Sequence, residues 1–125
     1  MGAIRLKDSF KQVLRDNGVA LDETLTRFMD NEDIYEKFLY KFLNDKNFEQ
    51  LQMCYTEENY EQAFRHAHTL KGVMANLGLM SSYKTLNQFV EKLRANEIDE
   101  TCQQLYEEFC QGFEQTMEVI RIHAD

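Results

Sequence analysis

Apolar residues recur at helical spacing along almost the whole chain. Ile4, Leu6, Phe10, Val13 and Leu14 predict a short helix over 4–15 that stops near Asn17 and Gly18. Asp22 stands where an N-cap would open a second short helix over 23–29. Asn31 is placed to cap a long helix with Ile34, Phe38 and Phe42 on one face, widened by Tyr35, Leu39 and Leu43. Phe48, Leu51 and Tyr55 continue the same spacing, with room for a kink at 45–47. After a turn at 56–58, Asn59 reads as an N-cap with Gln62 in capping-box position. Tyr60, Ala63, Ala67, Leu70, Met74 and Leu77 then follow steps of three and four to Gly78, where a helix C-cap glycine belongs. The next helix starts near Ser81 and presents Tyr83, Leu86, Val90 and Leu93. Asp99 caps the last, which presents Cys102, Tyr106, Phe109, Phe113, Met117 and Ile120. Four long amphipathic helices on short connections make antiparallel neighbours. The expected fold is all-α: an up-down-up-down four-helix bundle over about 31–123, with a short N-terminal helical extension over about 4–29, in a single domain spanning 1–125.

Composition supports this reading. The 125 residues include no proline and five glycines, where average usage would give roughly six prolines. A β-sandwich or barrel needs more turn residues than that. Hydrophobic residues make up 43% of the chain, enough for a core and too many for global disorder. The net charge of −8 excludes a general nucleic-acid binder, which needs a basic stripe to displace counterions. No apolar run is long enough to span a membrane, and the start of the chain lacks a signal-peptide core. Cys54, Cys102 and Cys110 form no CxxC pair, and their odd number suits free thiols in a reducing compartment. A cytoplasmic location is expected.

Helix 59–78 departs from an ordinary amphipathic pattern. On a wheel of about 100° per residue, Gly72 falls almost opposite the apolar stripe. Arg65, His68, Lys71, Gly72, Ala75 and Asn76 make up the outer face. An exposed mid-helix glycine costs about 1 kcal/mol relative to alanine, and no crossing inside the bundle accounts for one that points outward. It makes sense where something must approach the backbone. The charge is also local: residues 59–78 carry a net +1, whereas 99–125 carry −6. His68 has no acidic residue within four positions and shares a face with Lys71, so the pair could hold an anion such as a phosphoryl group. Set against this, a solvated His–Lys surface is a common feature of helices. His66 lies about 60° off the stripe and suits a partly buried, hydrogen-bonded structural histidine. A metal site from His66 and His68 is disfavoured, because helical zinc pairs use i,i+4 spacing. His123 has no motif around it. Phe64 sits on the His68 side of the helix, either packing at the bundle edge or forming an apolar rim around His68.

Residues 67–78, Ala-His-Thr-Leu-Lys-Gly-Val-Met-Ala-Asn-Leu-Gly, resemble the phosphorylation motif of histidine-containing phosphotransfer (HPt) domains, H-x-L-K-G followed by small residues and L-G. His68, Leu70, Lys71, Gly72, Leu77 and Gly78 fill its fixed positions. The stretch from Arg27 to Leu43 also resembles the N-terminal part of many such domains, so the likeness covers roughly 20–120. The resemblance implies that His68 carries a phosphoryl group received from a receiver-domain aspartate and passes it to another receiver in a two-component phosphorelay. It implies that Lys71 offsets phosphoryl charge and that Gly72 leaves room for the receiver. Phe64, Arg65, Ala75 and Asn76 would complete the docking face. A polar residue on the next helix would bond the far ring nitrogen; Asn87, Gln88 and Glu91 are candidates, with Gln88 placed slightly first. Imidazole is nucleophilic when neutral, the form that a surface histidine in general mostly holds at pH 7.

The expected partners are response-regulator receiver domains and a hybrid histidine kinase, with neither nucleic acid nor membrane, and the expected state is a monomer. No cofactor or metal is expected in this chain; Mg²⁺ belongs to the receiver by the same resemblance. The chain has no P-loop or other Gly-rich phosphate loop, so it is expected to be a phosphohistidine carrier without ATP-dependent kinase activity, either free-standing or cut from a longer protein. The alternative is a non-catalytic helical adaptor that binds a receiver or another signalling protein. A haem- or metal-binding bundle would want inward-facing ligands, and His68 is placed outward.

Overall fold

The computed structural model describes residues 6–123. Seven helices follow in order among them: α1 (Asp8–Asp16), α2 (Leu21–Arg27), α3 (Glu32–Phe42), α4 (Asn47–Thr56), α5 (Tyr60–Leu77), α6 (Tyr83–Arg94) and α7 (Glu100–Ile122). α4 packs on α5, α5 on α6 and α6 on α7, while α3 touches α5 and α7. The all-α bundle with an N-terminal extension is the fold expected. Its core joins Leu51, Ala67, Leu70, Leu86, Phe89, Val90, Phe109 and Ile120, all fully buried. At one end Tyr55 stacks on Tyr106 at 4.2 Å and meets Phe89 edge-on. At the other, Phe48 and Phe42 pack against Phe113.

Three expected caps are present. Asn31 accepts from the Ile34 N–H, Asn59 from that of Gln62, and Asp99 from that of Cys102. Gly78 ends α5 in the left-handed region at φ 77. A side chain there would be strained by the backbone and would collide with Thr24 Oγ1.

Four expectations need correction. The long helix from Asn31 to Tyr55 is two helices, because Asp45 Oδ1 turns back to accept from the Asn47 N–H at 2.8 Å and starts α4 afresh. The buried face of α3 is Tyr35, Leu39 and Phe42; Ile34 and Phe38 are 42% and 49% exposed. The apolar arc of this helix is wider than the face it buries, so spacing does not select which part of it meets α5 and α7. Asp22 does not cap α2: the N-cap position is Ala20, and Asp22 lies inside the first turn, paired with Arg15 at 2.8 Å. The first helix begins at Asp8, with Leu6 buried ahead of it, and Ile4 lies outside the described residues.

The extension closes one end of the bundle. Ala20 N–H donates to the Gly78 carbonyl at 2.8 Å beside a bridge between Val19 and Leu79. His123 stacks on Phe10 at 4.7 Å, and its carbonyl accepts from Tyr40 Oη. Gly112, inside α7, allows a close approach, since a Cβ there would strike Ser82 Oγ at the start of α6.

Asp99 yields a pH-dependent prediction. The Cys102 N–H, then Lys92 at 3.0 Å, hold its carboxyl below the ordinary carboxylate value. A depressed carboxylate pKa contributes stability above the unfolded value, and that contribution is lost as the pH falls through the folded value. Asn is as good a cap but does not titrate. Asp99→Asn is therefore expected to flatten the loss of stability as the pH falls below the ordinary aspartate range. Urea denaturation at stepped pH measures this; identical profiles for the two proteins would contradict it.

Candidate functional site

The site is built on α5. Asn59 satisfies an N-terminal amide of this helix, while its own N–H donates to the Cys54 carbonyl at 2.8 Å, so only half of the capping box forms. The opposite end is tied more firmly. Arg27 donates to the Ala75 and Asn76 carbonyls at 3.0 and 3.2 Å, and Tyr35 Oη donates to the Leu77 carbonyl at 2.9 Å. Burial pushes the Tyr35 pKa up, which keeps its hydroxyl a donor. Ala63, Ala67, Leu70, Met74 and Leu77 are buried, as the apolar stripe requires, and Tyr60 is half-buried.

The opposite face carries the polar side chains. Arg65, His68, Gly72 and Asn76 are exposed, and Phe64, Lys71 and Ala75 are half-buried. The His68 imidazole stacks on the Phe64 ring, with centroids 5.7 Å apart and planes 16° apart. Among the described residues, nothing hydrogen-bonds either ring nitrogen of His68. One turn on, a Cβ added to Gly72 would meet no atom within 4 Å, so this stretch of backbone is bare to solvent.

Lys71 leans across to α6, where Nζ donates to Asn87 Oδ1 at 2.9 Å. No carboxylate pairs with it among the described residues, and its charge remains available to an anion. Arg65 pairs with Glu61 at 3.3 Å, an exposed contact of little energetic weight. Gln88 is exposed and makes no bond to the His68 ring. Its neighbour Asn87 reaches this face through Lys71. The one-residue difference reflects the turn after Gly78, where Leu79 is pinned beside Val19 and α6 begins at Tyr83. Arg94 was not anticipated: its guanidinium lies 4.9 Å from the Phe64 ring centroid, with Nε bonded to Glu91 at 3.2 Å. Sequence spacing carries no signal for a contact that depends on how α6 crosses α5.

The other histidines are engaged elsewhere. His66 Nδ1 lies 3.1 Å from Asn47 Oδ1, half-buried between α5 and the start of α4, as a structural histidine would be. His123 Nδ1 lies 2.9 Å from the Val119 carbonyl. Cys102 is buried, Cys54 and Cys110 are half-buried, and all three are free. Burial pushes the Cys110 thiol up to about 11, leaving little thiolate at neutral pH. Among the described residues, no three His, Cys, Asp or Glu side chains gather as a metal site, and no helix is long and apolar enough to cross a membrane.

A helical bundle with an exposed imidazole, a bare glycine one turn on and an uncompensated lysine between them has the form of a docking face for transfer of an anionic group. Comparison with known families gives the particular assignment: the Hpt domain model matches residues 39–123. The chain belongs to the Hpt domain family. Hpt domains serve histidine phosphotransfer in phosphorelays and interact with receiver domains. No curated protein and no solved structure matches the chain.

Proposed function

We propose that His68 accepts a phosphoryl group from a receiver-domain aspartate and passes it to another receiver. The observation that carries this reading is the bare backbone at Gly72, one turn from the exposed His68 ring. A partner loop can approach there without displacing any side chain. In the forward step, the unprotonated nitrogen of neutral His68 attacks phosphorus. An N–P bond forms, the P–O bond to the aspartyl carboxyl breaks, and the carboxylate leaves with the electron pair. The ring is then a phosphoimidazolium, which returns the proton on its other nitrogen to water. The reverse sequence loads the next receiver.

The chemistry asks this chain for position and charge. Holding the reacting atoms in line supplies much of the rate. Lys71, free of any carboxylate among the described residues, is placed to offset phosphoryl charge while Asn87 orients its ammonium. Arg65, Ala75 and Asn76 complete the face that receives the partner.

The test is phosphoryl uptake. Incubating the chain with a receiver phosphorylated on aspartate is expected to label it with phosphate that is labile to acid and stable to base, the behaviour of a phosphoramidate. An acid-stable label, or none, would sink the reading.

A further inference from the structure

Resting on the phosphotransfer reading, we propose that Phe64 is the positioning residue of the His68 imidazole and that Arg94 holds Phe64 in place. An exposed side chain is ordinarily free to change rotamer, and no hydrogen bond to a ring nitrogen restrains His68 among the described residues. What restrains it is a face: the Phe64 ring lies 16° from parallel at 5.7 Å, one turn earlier on the same helix. Phe64 is itself fixed from a second helix. Arg94, in the last turn of α6, places its guanidinium 4.9 Å from the Phe64 centroid, and Glu91 holds that guanidinium at 3.2 Å. A cation over an aromatic face is attractive. The three groups form a line from α6 to the reacting ring, and the line fixes orientation while both ring nitrogens stay open to the partner.

The size of the effect follows from rotamer counting. In a helix one of the three χ1 wells is rare, and a ring has about two orientations in each remaining well, so a free His68 samples about four states. Selecting one of them raises the fraction poised for in-line attack by up to about fourfold. Phe64→Leu keeps apolar bulk but loses the planar face; Phe64→Tyr keeps the face. Transfer from a phosphorylated receiver to the full chain, measured over a range of receiver concentrations, separates positioning from docking.

Phe64→Leu is expected to lower the saturating transfer rate constant about two- to fourfold with half-saturation unchanged. Phe64→Tyr is expected to restore it. Arg94→Gln should give a smaller fall, rescued by Arg94→Lys. In the unphosphorylated proteins, the NMR shifts of the His68 ring protons should move in Phe64→Leu and stay near wild-type values in Phe64→Tyr. A rate constant unchanged in Phe64→Leu overturns the proposal. So does a change confined to half-saturation, which would make Phe64 a docking contact. Failure of the wild type to take up phosphoryl counts against phosphotransfer itself. The ring-proton shifts are independent of that failure, and shifts unmoved by Phe64→Leu overturn the stacking role on their own.

Discussion

His68→Ala is expected to take up no phosphoryl group from a phosphorylated receiver, while His66→Ala is labelled like the wild type. The chain has three histidines, and the structure separates them by what their rings already do. His66 is half-buried with Nδ1 against Asn47, and His123 is stacked on Phe10 with Nδ1 against a carbonyl. Attack on phosphorus needs an accessible ring with a free lone pair, and His68 alone of the three is exposed. Removing it leaves no substitute within reach of the bare backbone at Gly72. The substitution should leave the fold intact, because the ring points into solvent and alanine is the best helix former. Radiolabel from the receiver, read alongside the helical circular-dichroism signal, makes the comparison. Undiminished labelling of a folded His68→Ala protein would remove His68 from the mechanism.

Gly72→Gln is expected to act in opposite directions on stability and transfer. Glycine in a helix interior costs about 0.8–1.0 kcal/mol relative to alanine, and glutamine is among the better helix formers. Nothing lies within 4 Å of the added Cβ. The variant should therefore be more stable than the wild type, by somewhat under about 1 kcal/mol. A long side chain at this point would nevertheless stand between the partner and His68. A displacement of about 1 Å from the productive geometry can cost on the order of 10²-fold in rate, and loss of that order is expected here. Gly72→Ala should show the full gain in stability with a milder kinetic defect. Thermal unfolding and transfer kinetics on the same preparations check both signs. Unchanged transfer in a stabilised Gly72→Gln protein would leave the glycine without the steric role assigned to it.

These two residues show which parts of the molecule are legible in the sequence. α5 has a single narrow stripe of apolar residues, so its outer face, with His68 and Gly72 on it, could be placed from spacing alone. The caps at Asn31, Asn59 and Asp99 were legible because capping is a local contact over three residues. α3 was not, since Ile34, Tyr35, Phe38, Leu39 and Phe42 spread over an apolar arc wider than the face that is buried. The buried choice there falls on Tyr35, whose hydroxyl finds the Leu77 carbonyl on another helix. The place of Gly112 is not legible locally, because the Ser82 side chain beside it lies 30 positions away in sequence. Arg94 was missed, and Asn87 was placed behind Gln88, for the same reason. Their roles are set by the crossing of α5 and α6, which no periodicity encodes.

The tie between the extension and the end of α5 has a consequence for how the protein is partitioned. The family match begins at residue 39. Arg27 and Tyr35, which take up the last carbonyls of the helix bearing His68, both precede it. Thr24 and Ala20, which crowd Gly78, precede it too. A fragment trimmed to the matched span would keep every residue proposed to handle phosphate yet begin inside α3. It would remove a side-chain donor from each of three carbonyls of α5 and the Val19 bridge from Leu79. The residues proposed to handle phosphate thus lie inside the matched span, while these supports of the end of α5 lie ahead of it.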